Sequence, residues 1–369
     1  MLCSGQAFAS SHRINHYKEF VENRWSFLTS GQYFKSTSNF NKNGNIADLP
    51  GGNSFQLIDL TGTRGYGLSD AINLYGGLNI GNSQSKGSDA TRTNSSVNNI
   101  IAGAEFLIPM DGFQLIPEVS GLADLEKLSD TQDSVMNSEV SNELTGKLNV
   151  QMALRDFLLF GYGGYNYRTG GRSQLFLWGV NGELALSKFT LGGEIFGFQS
   201  VSDDVDKGTP AEANRDAFRL RVNGGSARFY SVNPSVVDSN VYLKSKISDQ
   251  FDFWLAAGLP VVGNNYANGY HAEAGLRFLI GDHVARRLHH RAVSVPVDDS
   301  ARLSTDKKVD RFQEDTNDGV DQRIFKPTPT AVPKAVKPAP TDQELKDQMD
   351  DAETKIELRS NKKKKRVNP

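Results

Sequence analysis

The chain has 369 residues, enough for one large domain or two ordinary ones. A formal net charge of −2 gives no basis for bulk attraction to nucleic acid. Hydrophobic residues make up 38%, mean hydropathy is −0.45, and no stretch approaches the ~20 apolar residues of a membrane helix. A wall of membrane-spanning strands stays open, since it needs only every second residue to be apolar.

At the N-terminus, Ala7-Phe8-Ala9 matches the small-x-small pattern of a signal-peptidase site. The charged and apolar regions that should precede it are missing. Residues 1–9 read as the remnant of a secretory signal whose start was assigned too late; the competing reading is a chance match. Cys3 is the single cysteine, so no intramolecular disulfide forms, and with only Met1 and Leu2 before it, it makes a poor lipoprotein anchor. A polar lead-in follows to Arg24.

From Trp25 to about residue 281, apolar and polar residues alternate, as in strands with one oily and one polar face. Tyr270, Ala272, Ala274, Leu276, Phe278 and Ile280 oppose His271, Glu273, Gly275 and Arg277. Strands are expected near 25–36, 54–66, 71–82, 96–108, 113–124, 142–154, 156–167, 173–186, 188–200, 238–248, 250–262 and 269–280. The segment 54–66 is ambiguous in phase, and 156–167 is apolar on both faces. Tight connections fall at Leu68-Ser69-Asp70, Pro109 to Gly112, Arg155-Asp156, Ser187-Lys188 and Ser248-Asp249. Long polar ones fall at Asn82 to Ser95, Lys127 to Ser141 and Ser202 to about Val237.

Inside the longest connection, Ala217 to Val222 and Ala227 to Tyr230 flank Asn223-Gly224-Gly225-Ser226 and read as a hairpin. It either projects above the wall or adds two wall strands.

Beyond 281 the composition changes. Arg286 to Arg291 is a basic cluster, and residues 326–340 form a proline-rich spacer of ~15 residues that spans ~45 Å when extended. Thr341 and Glu344 can cap a short helix running to about Ser360. The run Lys362, Lys363, Lys364, Lys365, Arg366 follows. The tail is too polar for a core and is expected to be mostly disordered apart from that helix.

The alternating strands, the two classes of connection and the candidate interface aromatics Trp25, Tyr33, Trp178, Phe196 and Tyr270 together resemble a Gram-negative outer-membrane β-barrel of porin-like type. No subfamily motif is visible. The resemblance covers residues 25–281 and implies an all-β, antiparallel, up-and-down transmembrane barrel of about twelve strands, or fourteen if the 217–230 hairpin joins the wall. It implies that residues 10–24 and the tail, 282–369, lie in the periplasm. It also implies outer-membrane lipid and small solutes as partners, with no nucleic acid. Cell-wall polymer or an anionic surface is the candidate partner of Lys362–Arg366. A soluble β-sandwich or solenoid is the competing fold.

Among the inward charges, which include Glu105 and Glu118, the candidate lumen-lining residues are Lys147, Glu183, Glu194, Lys244, Lys246, Asp252, Glu273 and Arg277. Near twelve strands such charges either line an aqueous path or cross-pair and plug it. Their mixed signs argue against strong ion selectivity.

The leading function is passive or weakly selective passage of small solutes. A plugged structural barrel that tethers the envelope through its tail or displays surface loops is second. An envelope lipid hydrolase centred on His271, with Glu273 orienting it, is third. Ser245 lies on a strand not adjacent to His271, so no catalytic residue is assigned. Residues 315–321 lack the carboxylate spacing of a calcium loop, and one cysteine cannot build a zinc cluster, so no metal or cofactor is expected.

Overall fold

Period-two patterning over segments of 11–16 residues produces long strands, and each is long enough to cross a bilayer at a tilt. The computed structural model describes residues 18–127, 133–186 and 189–281. In chain order the elements are β1 (Trp25–Phe40), β2 (Ile46–Asp48), β3 (Ser54–Ser69), β4 (Ile72–Lys86), β5 (Thr91–Phe106), β6 (Ile108–Pro109) and β7 (Gln114–Asp124). There follow β8 (Glu143–Leu154), β9 (Phe157–Arg168), β10 (Leu175–Ala185), β11 (Phe189–Ser200), α1 (Pro210–Asn223), β12 (Ser235–Ser248), β13 (Phe251–Asn264) and β14 (Tyr266–Ile280).

Each long strand pairs antiparallel with the next, and β14 returns to β1 in a register running from Trp25↔Ile280 to Phe40↔Tyr266. This closes a twelve-strand barrel; β2 and β6 are short additions of three and two residues. Closure leaves no sheet edge, which excludes the sandwich and the solenoid.

The outer face carries a continuous apolar belt. Leu60, Leu78, Val119, Leu148, Val180 and Leu255, from six different strands, are all exposed. A soluble monomer does not show such a belt, and a bilayer covers it. Trp25, Tyr33, Trp178 and Tyr270 lie on this outer phase. Phe196 does not: it is buried inside the barrel beside Phe198 and Tyr266.

Both chain ends of the barrel emerge at one rim, here the turn end, with the tight connections; the opposite rim is the loop end. Three loop-end connections are short: residues 87–90, residues 169–174 and Asn265 alone. The expected long connection from Asn82 to Ser95 is instead strand, because Lys86 and Thr91 still pair across a four-residue turn.

The segment 217–230 is not a hairpin and adds nothing to the wall. Thr209 caps α1, its hydroxyl oxygen accepting from the Ala211 N–H at 3.2 Å, with Pro210 in the first turn. Glu212 reaches back to accept from the Gly208 N–H at 2.7 Å. Gly224, at φ 63°, ends the helix, and the Gly225 N–H donates to the Arg219 carbonyl at 2.9 Å. These caps outweigh the alternation of Phe218, Leu220 and Val222 with arginines that suggests a strand.

The signal remnant, residues 10–17 of the lead-in, the Ser187-Lys188 turn and the whole tail, with its spacer, helix, acidic segment and Lys362–Arg366, lie outside the described residues.

Candidate functional site: the barrel lumen

The inward phase of the wall brings the candidate residues into one lumen. Lys147, Glu183, Glu194, Glu273 and Arg277 are buried there. Lys244 and Asp252 are half-buried, and Lys246 sits exposed on the turn-end rim, 2.8 Å from Asp249. Ion pairs join Lys244 to Glu183 and Arg277 to Asp252 across neighbouring strands or the strand beyond. Glu273 accepts from the Trp254 indole N–H at 2.8 Å rather than orienting His271. His271 Nε2 instead meets Asp238 Oδ1 at 2.9 Å. Ser245 lies on the outer phase of β12, on the other side of the wall from His271, so the two cannot form a dyad.

At mid-height a buried cluster of wall side chains that includes Leu28, Tyr75, Ile101, Tyr242 and Trp254 narrows the lumen. Four aromatic rings lie on cross-strand glycines: Tyr75 on Gly103, Tyr162 on Gly179, Tyr242 on Gly192 and Trp254 on Gly275. A side chain at any of these glycines would collide with the ring.

At the turn end, the lead-in enters the lumen. Lys18 is 3% exposed, and its ammonium donates to Glu105 Oε1 at 2.8 Å and Glu118 Oε2 at 3.3 Å. The Gln151 amide accepts from the Lys18 N–H at 2.9 Å and donates to its carbonyl at 2.8 Å. Lys147 reaches Glu118 at 3.1 Å, and Tyr75 and Asn73 donate to Glu118 and Glu105, each at 2.9 Å. The chain then leaves past Gly67, where a Cβ would lie 2.0 Å from the Val21 carbonyl oxygen; only glycine permits that approach.

At the loop end, two connections fold inward. From β7–β8, Val135 and Met136 are fully buried; from β11–β12, Val222 and Phe229 are too. They pack on Phe34, Phe55 and Leu57 of the wall, with Phe229 edge-on to Phe55 at 6.0 Å. This explains the unclear phase of β3: its inward face is apolar near the loop end because loops cover it. The Met136 N–H donates to Asn223 Oδ1 at 3.0 Å, tying the two connections together. Arg228 stacks 4.4 Å over Phe34 and beside a cavity of about 20 Å³ that Asp238 and His271 also line, room for about one water. Nearby, the Tyr230 ring lies between the Arg172 and Arg215 guanidiniums, at 4.0 and 4.7 Å. Burial, reinforced by the Arg215 charge, brings the Arg172 pKa down to about 10.

Lys18 and the two inward connections give no periodic signal in the sequence. Glu105 and Glu118 are legible as inward charges, but their partner lies 87 and 100 residues away.

No protein-family model and no curated protein matches the chain. Among solved structures, it is similar to the COG4313 outer membrane channel from Pseudomonas putida F1, at 11% identity, covering 73% of this chain and 100% of that one, with TM-score 0.56. It also aligns with the KdgM porin at 9% identity, 68% and 98% coverage and TM-score 0.39. The translocator domain of autotransporter NalP from Neisseria meningitidis aligns at 9%, 69% and 88%, with TM-score 0.37. The first likeness establishes the fold; the other two are too distant to carry an argument. The chain therefore folds as a closed twelve-strand antiparallel β-barrel similar to that outer membrane channel.

Proposed function

We propose that the protein is a non-enzymatic outer-membrane channel for small solutes, held closed by its own inserted segments. The turn end faces the periplasm and the loop end the exterior. The observation that carries this reading is that both closures are made by chain outside the wall: the lead-in at one end and two loops at the other. Segments attached only at their ends can leave without unfolding the barrel, and the wall beneath the lead-in is charged and ready to hydrate. Lys147, Glu183, Glu194, Lys244, Asp252, Glu273 and Arg277 then line the path, with Lys246 at its rim.

A second reading, a permanently closed structural barrel, draws support from the mid-height cluster, which belongs to the wall itself. Single-channel recording in planar bilayers separates them. The full chain carrying Lys18→Gln and Phe229→Ala together should give discrete conductance steps that are rare in the unmodified protein. Silence from a demonstrably folded double variant would favour the structural reading.

A further inference from the structure

The charges of wall and inserts are complementary. Eight carboxylates of the wall strands are buried in the lumen, against three arginine or lysine side chains. Among the described residues outside the strands the balance reverses: Lys18, Arg24, Arg172, Arg215 and Arg228 are buried, against two acids, Glu139 and Asp204. The wall is therefore an acidic tube, and the cations that neutralise it are supplied by the segments that close it.

Two features point to a ligand beyond a general acidic field. The Lys18 ammonium already occupies a formed site, held by Glu105 and Glu118, whose own oxygens are fixed by Asn73 and Tyr75. Higher in the lumen, Asn181, Glu194 and Asn240 stand side by side on β10, β11 and β12. Asn181 is 3% exposed, and neither its amide nitrogen nor its oxygen has a protein partner; the Asn240 oxygen lacks one too. Buried amides left in this state mark a place for a polar guest.

We infer that the solutes this lumen takes are small organic cations bearing an ammonium or guanidinium group. Lys18 is their stand-in at Glu105 and Glu118, and Asn181, Glu194 and Asn240 form a second station. Low-dielectric walls lined by one sign of charge concentrate the opposite ion, so an opened lumen favours cations. This inference rests on the channel reading.

The test uses the full chain with Lys18→Gln and Phe229→Ala, a pair that adds no carboxylate and removes the one ammonium that stands in for the solute. Reversal potentials are read across a potassium chloride gradient, then n-butylammonium or n-butanoate is added. The expected result is a severalfold preference for potassium over chloride, with n-butylammonium reducing the potassium current and n-butanoate leaving it unchanged. Adding Glu118→Gln or Glu194→Gln should move the permeability ratio toward one. Conductance with equal or anion-favouring permeability, or block by n-butanoate, overturns the inference while leaving the channel intact. Absence of conductance from the folded double variant removes the channel reading, and this inference with it.

Discussion

The indole of Trp254 lies flat on Gly275, its cross-strand partner on β14; a Cβ at Gly275 would sit 2.0 Å from the ring carbon Cζ2. The same placement lets the indole N–H reach Glu273, two residues away on the same strand, at 2.8 Å. A missing side chain on one strand thus fixes both the position of a large ring and the orientation of a buried carboxylate.

Gly275→Ala should therefore act through Trp254. The methyl forces the ring off the wall, overpacks the mid-height cluster and breaks the bond to Glu273, costing about 1–3 kcal/mol for the packing alone. Adding Trp254→Leu should recover much of the loss, because the smaller side chain leaves room for the methyl. Denaturant unfolding of the two single variants and the double variant measures the coupling. Strict additivity would show that the glycine and the ring do not depend on each other.

All twelve wall strands were legible because lipid on one side and polar lumen on the other impose a period of two. The rule fails where something other than lipid or polar lumen meets the wall. Phe55 and Leu57 face inward under the folded loops, so β3 shows apolar residues on both phases near its start. Phe196 sits on the inner phase of β11, although its composition suits the membrane interface. The helix α1 was legible through Thr209, Pro210 and Glu212, but the stronger-looking alternation from Phe218 to Val222 masked it. Lys18 could not be read at all, since a lone lysine in a polar lead-in shows nothing of carboxylates it meets through tertiary folding.

Lys18→Gln should release the lead-in from the lumen. Removing one partner of a buried ion pair costs about 3–5 kcal/mol while the site stays dry. Water can relieve that cost only if the lead-in leaves. A Gln151→Cys probe, placed beside Lys18 with little exposure in the parent, reads this directly. An aqueous thiol reagent should modify it much faster when Lys18→Gln is present. Because Gln151 itself holds the lead-in, Asn149→Cys serves as a second probe. Unchanged protection at both positions would mean that the ammonium does not hold the segment.

The β7–β8 connection should dock more tightly in mild acid. Glu126, in that connection, accepts from the Asn137 N–H at 3.0 Å and the Ser138 hydroxyl at 2.9 Å. Burial raises its pKa above the usual 4.5, and the Asp124 charge adds to the rise, against the lowering by those two donors. Between the ordinary and the raised value, the docked state therefore holds a proton more often than the undocked state does. Its contribution is complete below the ordinary glutamate value and is lost as pH rises through the raised one. Modification of Met136→Cys, corrected for the reactivity of a free thiol, should be slower near pH ~5 than near pH ~7.5. Glu126→Gln should remove the difference; its persistence would assign the pH dependence elsewhere.

Phe229→Ala should open the loop end without disturbing the turn end. Phe229 is fully buried against Phe55, and truncating such a ring costs about 3–5 kcal/mol when the cavity persists. The β11–β12 connection can avoid leaving that cavity by swinging out, which exposes Ala267 on β14, fully buried in the same cluster. An Ala267→Cys probe should then react with a membrane-impermeant reagent added outside, while Asn149→Cys at the other end stays protected. Lys18→Gln should give the reverse pattern. The two closures lie on opposite sides of the mid-height cluster, so their labelling effects should be independent. Conductance should not be: a path sealed at either end carries no current, so each single variant should stay nearly silent and only the combination should conduct. Full conductance from Phe229→Ala alone would show that the lead-in is no barrier, and would leave Lys18 as a structural tie rather than a gate.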